Sequence, residues 1–397
     1  MKGQSPSPRS LNSGYDVVCF SHLRWDFVYQ RPQHLMGRFA RNSRVFYVEE
    51  PIFDAVDDRV DVINPENNVY RLIPHLAAEG GATNARVRAL LSDALDKFGV
   101  ERHINWFYTP MMLDVASGMQ PKAVVYDCMD ELSAFRGAPP ELLENERRLF
   151  DIADHIFTGG RSLYEAKKGR HPAVFAFPSS VDVTHFAKAR RVTEEPDEQR
   201  QITHPRIGFA GVIDERMDVE LLNDVAGLRP DWQFVMIGPV VKISESELPR
   251  RYNIHYLGMQ PYEKLPAFLA GWDAAMMPFA LNEATRFISP TKTPEYLAAG
   301  LGVASTAITD VVTPYGNMGL VHIACTAREF VAALETAMNE DAGKRDREVS
   351  EFLRENSWDK TFAAMSDLID GVIAGPQPGE ESAAVGGSEQ GLLLAAA

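Results

Sequence analysis

The sequence predicts an α/β protein with two doubly wound parallel sheets, one after the other along the chain. Short runs of β-branched and aromatic residues alternate with segments of helical periodicity through most of the 397 residues. A polar segment without strand-like runs, residues 191–205, interrupts this alternation, which then restarts. The length suits two domains, each able to bury a core. We therefore expect Rossmann-like domains at residues 15–190 and 206–355, joined by that linker.

Seven strands and three helices are predicted in residues 15–190. The strands, each a short apolar run, are Asp16–Phe20, Arg44–Val48, Val69–Ile73, Ile104–Tyr108, Val124–Cys128, His155–Thr158 and Val174–Phe177. The helices, each with apolar residues recurring on one face, are Gln33–Ala40, Ala85–Phe98 and Glu141–Ala153. This alternation is typical of a parallel sheet with helices on both faces.

The same alternation recurs in residues 206–355. The predicted strands are Arg206–Val212, Gln233–Ile237, Ile254–Leu257, Ala274–Pro278 and Val303–Ser305. The predicted helices are Val219–Ala226, Glu263–Ala270, Thr291–Gly300 and Ala327–Met338, and a last one, Trp358–Ile373, falls in residues 356–375. Residues 1–14 and the Gly-, Ser- and Glu-rich residues 376–397 are predicted to be disordered.

Composition narrows the partners and the compartment. A formal net charge of −15 argues against a nucleic-acid partner, which needs a basic face. The three cysteines lie far apart in apolar runs, so we expect buried, reduced thiols. No apolar run reaches the roughly 18 residues that a membrane span needs, and no signal peptide is visible. We expect a cytoplasmic protein.

Arginine and lysine are concentrated in the first half of the chain despite the acidic total. They form two clusters, Arg31–Arg44 and Arg161–Arg191. Such clusters are suited to peripheral contact with the anionic headgroups of a membrane. A solvated charged face is the alternative explanation.

Several well-known motifs are absent from the sequence. There is no G-x-G-x-x-G after a strand, no G-x-x-x-x-G-K-[ST], no G-x-S-x-G and no H-E-x-x-H. Dehydrogenase, P-loop and serine-hydrolase functions therefore lose most of their support.

The most informative stretch is the predicted helix start near Thr291. Ser289 and Thr291 are both able to cap the helix, and Lys292 adds a positive charge in its first turn. A helix N-terminus at the carboxyl end of a parallel strand is suited to bind a phosphate. Glu295 is placed to accept hydrogen bonds from a ribose diol. An ordinary capped helix with a surface lysine explains these residues equally well.

Two loops that follow first strands are further candidates. After the first strand of the second domain, Gly211 allows a sharp turn or a close ligand, and Arg216 is able to reach a pyrophosphate. After the first strand of the chain, aromatic and polar side chains are suited to bind a sugar or a phosphate on the acceptor side. These candidates are Arg24, Trp25, Arg31 and Gln33. Trp25 is equally suited to the core.

Seven longer motifs occur in order along the two predicted domains. The first domain carries CFSHLRWDFVYQRPQHLMGRFA and VVYDCMDELSAF, and the second carries IGFAGVIDE, FVMIGP, NIHYLG, YEKLPAFLAGWDAAMMPF and SPTKTPEYLAAGLGVAST. From Tyr15 to Ile373 the chain resembles the retaining, family 4 glycosyltransferases of the GT-B fold, and its first half resembles a bacterial branch that makes teichuronic acid and cell-surface polysaccharide. The resemblance implies two Rossmann-like domains that face each other across a cleft, with the last helix crossing back onto the first.

The resemblance also implies roles for single residues. Glu295 matches the second glutamate of the family's E-x7-E motif, which holds the nucleotide ribose. At the position of the first glutamate, which contacts the donor sugar, this chain has Phe287.

The family's G-R-x-x-x-x-K motif reads Gly211, Val212 and Met217 in this chain, so both of its cations are missing. Arg216 and Lys292 are the available substitutes for neutralising a pyrophosphate.

Asp127 and Asp130 are the catalytic candidates of the first domain. They lie where the family often places a histidine beside the reacting sugar. Capping of a helix or loop is the alternative for Asp127, and their spacing is also compatible with metal ligation. The doubly wound pattern favours a phosphate-binding helix end, so we expect no metal and no cofactor apart from the nucleotide-sugar substrate.

The sequence thus favours a glycosyltransferase that moves a sugar from a nucleoside-diphosphate sugar to a glycan, a lipid-linked or a small-molecule acceptor. Retention of configuration is implied by the resemblance. Two alternatives stay open. One is a GT-B-fold protein that binds a nucleotide sugar without transferring it, suggested by Val212, Met217 and Phe287. The other is a nucleotide-sugar epimerase on the same fold.

Overall fold

The computed structural model describes residues 14–63 and 67–375, with residues 342–344 described by their backbone alone. Apart from Gly14, the terminal segments predicted to be disordered lie outside the described residues. The described chain forms two largely parallel sheets with helices between their strands. The predicted architecture of two doubly wound domains is therefore confirmed.

Nine strands form the first sheet. They are β1 (Asp16–Ser21), β2 (Val45–Glu49), β3 (Ile52–Ala55), β4 (Arg59–Ile63), β5 (Val69–Ala77), β6 (His103–Phe107), β7 (Val124–Cys128), β8 (His155–Thr158) and β9 (Val174–Ala176). Their order is β3-β5-β2-β1-β6-β7-β8-β9, and β4 pairs antiparallel with β5. All seven predicted strands are present. Strands β3 and β4 were not predicted, because their partly exposed side chains break the buried apolar pattern.

Six helices accompany this sheet and the crossing to the second domain. They are α1 (Arg31–Phe39), α2 (Thr83–Lys97), α3 (Leu142–Ile152), α4 (Arg161–Lys167), α5 (Val183–Phe186) and α6 (Asp197–Arg200). The three longest correspond to the three predicted helices. The other three have seven residues or fewer, which is too short to show a helical period.

The second sheet has six parallel strands in the order β12-β11-β10-β13-β14-β15. They are β10 (Arg206–Ala210), β11 (Gln233–Ile237), β12 (Ile254–Tyr256), β13 (Ala274–Met277), β14 (Val303–Ser305) and β15 (His322–Ile323). Its helices are α7 (Val219–Leu228), α8 (Leu265–Ala270), α9 (Lys292–Ala299), α10 (Thr309–Val311), α11 (Ala327–Asn339), α12 (Ala342–Glu355) and α13 (Trp358–Ala374). This strand order is that of a Rossmann fold.

Both faces of the first sheet are buried. Alternate residues of β1 fall into two separate clusters, with Val18 and Phe20 in one and Val17 and Cys19 in the other. Helices α2 and α3 cover the first cluster, and α1 and α13 cover the second. Because both faces are buried, the strands read as continuous apolar runs, and this made them predictable.

Helix α13 leaves the second domain and completes the core of the first. Trp358, Met365 and Ile369 are buried in the same cluster as the inner residues of β1. The indole of Trp358 stacks on His34 of α1, with ring centres 4.7 Å apart. The return of the last helix to the first domain is therefore confirmed.

Two segments cross between the domains side by side. Val181 and Ser357 form a parallel bridge, and the hydroxyls of Ser180 and Thr361 lie 2.7 Å apart. The outgoing segment has entered the second domain by Phe186, which lies in that domain's hydrophobic core.

Residues 191–205, predicted as a linker, pack against the second domain. Gln199 is fully buried; its amide donates to the Phe268 carbonyl (3.0 Å) and accepts from the Trp272 indole (2.9 Å). Upstream, Arg190 Nε donates to the Ala298 carbonyl at the end of α9 (2.9 Å). These contacts place the crossing earlier than the predicted boundary at residue 190, because the segment's polar composition concealed its anchoring residues.

Two expectations from composition have different outcomes. Cys19 and Cys128 are buried thiols, but Cys325 is exposed, so the prediction of three buried thiols is wrong at that position. Within residues 14–63 and 67–375, no helix is both long and apolar enough to cross a bilayer.

Gly208→Ala should destabilise the second domain. The indole of Trp272 packs directly against Gly208 in β10, so an added Cβ would overlap the ring. Overpacking of this kind costs about 1–3 kcal/mol of unfolding free energy, which a urea titration measures. Gly371→Ala in α13 is the matched control, because a Cβ there meets nothing within 4 Å and favours the helix. Equal stability of the two variants would contradict this packing.

Candidate functional site

The carboxyl ends of β10 and β11 meet through bare backbone. Gly211 directly follows β10 with a φ of +157°, and Gly238 directly follows β11 with a φ of +142°. A Cβ on Gly238 would overlap the Gly211 carbonyl. Tyr296 of α9 reaches the same place, where its hydroxyl accepts a hydrogen bond of 2.8 Å from the Ala210 amide. Helix α9 is therefore held over the turn at Gly211.

Lys292 extends from the first turn of α9 across Gly211. A Cβ on Gly211 would overlap Cε and Nζ of this lysine, so the glycine makes room for it. The ammonium group lies 5.5 Å from the ring centre of Phe209 and 6.0 Å from that of Phe279. Among the described residues, no carboxylate lies within salt-bridge distance of Nζ. The fold therefore holds a cation without a paired counterion.

The electrostatic surroundings of Lys292 favour an anionic ligand. Burial lowers the pKa of Lys292 to about 8, and the positive charge of Arg216 acts in the same direction. The charges of Glu295, Asp214 and Asp130 oppose this shift. A partly desolvated cation at the N-terminus of a helix is suited to a multiply charged group such as a diphosphate.

The first turn of α9 is not closed by a side chain. Thr291 directly precedes the helix, and its hydroxyl makes no capping hydrogen bond. Ser289, the other predicted cap, contacts the first domain instead, because its carbonyl accepts a hydrogen bond of 2.5 Å from the Ser179 hydroxyl. Glu295 lies in the same turn, and burial raises the pKa of its carboxyl to about 7, with the Lys292 charge opposing. A ligand here would meet helix amides, an ammonium group and a carboxyl.

Arg216 is positioned by an ion pair with Asp214. Its Nε and Nη2 donate to the two carboxylate oxygens at 3.0, 3.1 and 2.7 Å, and Asp214 is buried. The guanidinium lies 5.5 Å from the ring centre of Phe135, which belongs to the first domain. Lys242, with a left-handed φ of +63° in the loop after β11, lies 4.5 Å from the same ring. One aromatic side chain thus stands between two cations of the other domain.

Asp127 and Arg31 form a buried ion pair inside the first domain. Arg31 Nε donates to both carboxylate oxygens at 2.9 and 3.1 Å, and Nη1 donates to the Phe177 carbonyl at 2.8 Å. Asp127 is fully buried and Arg31 nearly so. This placement favours a structural role for both residues, since the pair ties α1 to β7. No cluster of acidic, histidine or cysteine side chains able to hold a metal occurs in the described part of the chain.

Asp130 faces the second domain. It follows β7 and is partly exposed, whereas Asp127 is not. Burial raises the pKa of Asp130 to about 6, while the charges of Arg216, Arg31 and Lys242 oppose this shift. Of the two predicted carboxylates, only Asp130 shares an electrostatic environment with the cations of the second domain.

The other predicted residues of the loop after β1 are occupied within the first domain. Arg24 forms a salt bridge of 3.0 Å with Glu49. Trp25 packs edge-on against Tyr47, with ring centres 4.9 Å apart, so it belongs to the core as well as to the loop. Gln33 is buried. Its side-chain oxygen accepts a hydrogen bond from the backbone before α1, and its side-chain nitrogen donates one to the Trp25 carbonyl at 2.8 Å.

Sequence reasoning missed two residues at the domain contact, Phe135 and Lys242, and it favoured a packed, hydrogen-bonded role for a third, His22. Phe135 and Lys242 lie in loops after the carboxyl ends of β7 and β11, and this shared position is the signal that could have found them. His22, in the loop after β1, is neutral near pH 7, because burial lowers its pKa to about 4 and the Lys242 charge acts in the same direction. All three lie where the two domains meet.

Comparison with known proteins gives one curated relative. No protein-family profile matches the chain. A Bacillus subtilis (strain 168) protein with the provisional name teichuronic acid biosynthesis glycosyltransferase TuaH is 26% identical over 252 residues. The match covers 57% of this chain and 62% of that protein, which is less than two thirds of the relative's length.

Solved structures give a consistent fold. An E. coli trehalose-6-phosphate structure bound with UDP-2-fluoro glucose has a TM-score of 0.66 at 13% identity, covering 90% of this chain and 99% of that one. Sucrose-phosphate synthase from Thermosynechococcus elongatus has a TM-score of 0.65 at 15% identity, covering 91% and 100%. A UDP-forming trehalose-phosphate synthase from Burkholderia xenovorans gives 0.64 at 12%, covering 90% and 99%. The chain has the GT-B fold, as the resemblance implied; at these identities the likeness shows the fold alone.

Lys292→Met should stabilise the ligand-free protein at neutral pH while removing the anion site. Below pH 8 the folded wild-type protein must keep a charged, partly desolvated ammonium. We therefore expect the free energy of unfolding of the variant to be about 1–2 kcal/mol higher than that of wild type. The folded lysine loses its proton near pH 8 and the unfolded one above pH 10, so this difference should shrink as pH rises between these values. Urea titrations from pH 7 to 10 measure it.

The exposed Lys264→Met is the matched control and should show no such pH dependence. If Lys292→Met lowers the unfolding free energy at pH 7, the ammonium has an internal partner and is no open anion site.

Proposed function

We propose that this chain is a glycosyltransferase that moves a sugar from a nucleoside-diphosphate sugar to an acceptor hydroxyl. The observation that carries the proposal is the Lys292 ammonium at the open start of α9, which has no salt-bridge partner among the residues that the structure describes. The GT-B fold supports it, as do the B. subtilis relative, which is named a glycosyltransferase, and the neighbouring E. coli structure, which binds UDP-2-fluoro glucose. These names describe the relative and the neighbouring structure, and they do not by themselves give the activity of this chain.

The second domain would bind the donor. The diphosphate would lie over Gly211, where the helix amides, Lys292 and the free Nη1 of Arg216 are all able to contact its oxygens. As the bond between sugar and diphosphate breaks, negative charge grows on the leaving oxygen. Fixed donors and cations stabilise that charge without reorganising, and this term would supply much of the rate enhancement. Glu295 would accept hydrogen bonds from the ribose diol.

The first domain would orient the acceptor. Asp130, with a pKa of about 6, is mostly ionised at pH 7 and faces the cations of the second domain. Its carboxylate would accept a hydrogen bond from the attacking hydroxyl and hold it towards the anomeric carbon. Asp127 and Arg31 would fix β7 and α1 behind it.

We further propose a glycan or lipid-linked acceptor, retention of configuration, independence from metal ions, and a cytoplasmic, membrane-peripheral location.

A second candidate function is nucleotide-sugar binding without transfer. Phe287, at the position where the family has a glutamate for the donor sugar, packs instead against a core cluster of the first domain. Met217, in place of the family's lysine, is buried. With Val212 in place of the family's arginine, the site lacks three polar groups that the family uses, and only a turnover measurement distinguishes the two functions.

Nucleoside diphosphates should raise the melting temperature of the wild-type protein. A ligand that binds only the folded state stabilises it by mass action, by about 2.7 kcal/mol at 100 times its Kd. A thermal-shift screen of nucleoside diphosphates and their sugars would identify the base and the sugar.

Glu295→Ala should weaken nucleotide binding tenfold or more, which corresponds to about 1.4 kcal/mol of binding free energy, because the ribose diol loses its acceptor. No shift with any nucleotide would exclude both candidate functions.

Asp130→Asn should lower kcat by about 10²–10⁴-fold while the Kd for nucleoside diphosphate changes little. The amide keeps the shape of the side chain but loses the charge that orients the acceptor hydroxyl. Release of nucleoside diphosphate, followed with and without acceptor, measures the rate. Asp93→Asn, at an exposed position of α2, is the control. Wild-type kcat in Asp130→Asn would remove this residue from the site, and product formed without any acceptor would indicate an epimerase or hydrolase.

A further inference from the structure

A carboxylate of the second domain reaches across to the first. Asp310 lies in α10, which follows β14, and its side chain is almost fully buried. Its Oδ1 accepts a hydrogen bond of 3.0 Å from the amide of Ser162, in the first turn of α4. The contact joins residues 148 positions apart, one from each domain. Asp310 therefore supplies from outside the cap that α4 lacks in its own sequence.

Gly160 makes this contact sterically possible. It directly precedes α4 and makes no side-chain cap; its φ of −160° and ψ of 165° are extended values that any residue adopts. A Cβ at this position would overlap Asp310 Oδ2 and lie 3.0 Å from Ser289 Cβ. The need for glycine thus comes from the second domain and not from the backbone of the first.

A second hydrogen bond lies beside the first. The Ser179 hydroxyl donates to the Ser289 carbonyl at 2.5 Å, and the Ser179 amide donates to the Ser289 hydroxyl at 3.4 Å. Ser289 is three residues before Lys292, so the segment that leads into the anion site is fastened to the first domain. Contact between the domains and the geometry of the donor site therefore share one segment of chain.

Helix α4 connects the same contact to the acceptor side. Lys167, at its other end, is buried and forms salt bridges of 2.6 Å with Glu131 and 2.8 Å with Glu146. Glu131 directly follows Asp130. A seven-residue helix thus runs from the cap supplied by Asp310 to the loop that carries Asp130.

We propose that Asp310 and Gly160 form a closure latch, a pair of positioning residues that holds the two domains in the arrangement where Asp130 faces the diphosphate site. The proposal rests on the proposed transferase function. The latch acts by docking the second domain onto the start of α4, which also fixes the Asp130 loop through Lys167.

The latch is balanced so that it can open. Docking removes the Asp310 carboxylate from water, and the free-energy cost of this desolvation opposes the stabilisation by the Ser162 amide. Burial accordingly raises the pKa of Asp310, while the hydrogen bonds from Ser162 and from the Arg161 backbone and the charge of Arg161 oppose the shift.

Gly160→Ala tests the latch by a change in the first domain. Its Cβ displaces Asp310 in the docked state, so we expect kcat for transfer to fall about 10- to 100-fold. The Kd for nucleoside diphosphate should stay within about threefold, because the diphosphate groups belong to the second domain. Gly169→Ala, just after α4, meets nothing within 4 Å and should keep wild-type kcat. A wild-type kcat in Gly160→Ala would overturn the latch.

Two variants of the carboxylate complete the test. Asp310→Ala should lower kcat as Gly160→Ala does, and the double variant should be no worse than the poorer single one, because both changes break one contact. Asp310→Asn keeps an oxygen acceptor for the Ser162 amide and should restore most of the rate. Additive losses, or an Asp310→Asn variant as poor as Asp310→Ala, would overturn the latch.

Hydrogen exchange separates this proposal from the proposed function. With saturating nucleoside diphosphate, or without it if none binds, the peptide that contains Ser162 should exchange faster in Gly160→Ala and Asp310→Ala than in wild type or Gly169→Ala. Absence of transfer and of nucleotide binding in the wild type contradicts the function and leaves this readout intact. Equal exchange in all four proteins overturns the latch whatever the activity.

Discussion

The second domain is arranged around one constraint, an ammonium group that has no counterion within salt-bridge distance in the described part of the chain. Gly211 has no side chain, and this leaves room for Lys292. The Tyr296 hydroxyl forms a hydrogen bond with the end of β10, which holds α9 above Gly211. Burying a cation and using a conformationally costly glycine both reduce the stability of the ligand-free fold. A fold keeps such costs where binding of a ligand offsets them.

At the contact between the domains, two cations of the second domain meet an aromatic ring of the first. Arg216 and Lys242 of the second domain meet the ring of Phe135 and not a carboxylate of the first. A ring face attracts cations without neutralising them, so the carboxylates that pair with Arg216 and Lys242 are those of their own domain, Asp214 and Glu215. Asp130 and the neutral His22 border the same space. The first domain thus brings one carboxylate and several uncharged groups to the cations of the second domain.

Local sequence patterns predict much of this fold, but they do not predict most of the contacts in the candidate site. Strands such as Val124–Cys128 and Gln233–Ile237 are found with their observed ends, because burial on both faces makes them continuous apolar runs. The position of Lys292 in the first turn of a helix is predictable as well, since a strand, a loop and the start of that helix follow one another closely in the sequence. The partner of Asp127, however, is Arg31, 96 residues earlier, and nothing near either residue reveals the pairing. Asp310 likewise acts on a helix 148 residues away.

The return of α13 to the first domain has a consequence for biosynthesis. Trp358 is among the largest fully buried side chains, and it lies beside strands that leave the ribosome more than three hundred residues earlier. Domains usually fold in the order of their synthesis. Here the core of the first domain lacks one side until α13 has been synthesised, so the domain that is made first is completed only after the second one.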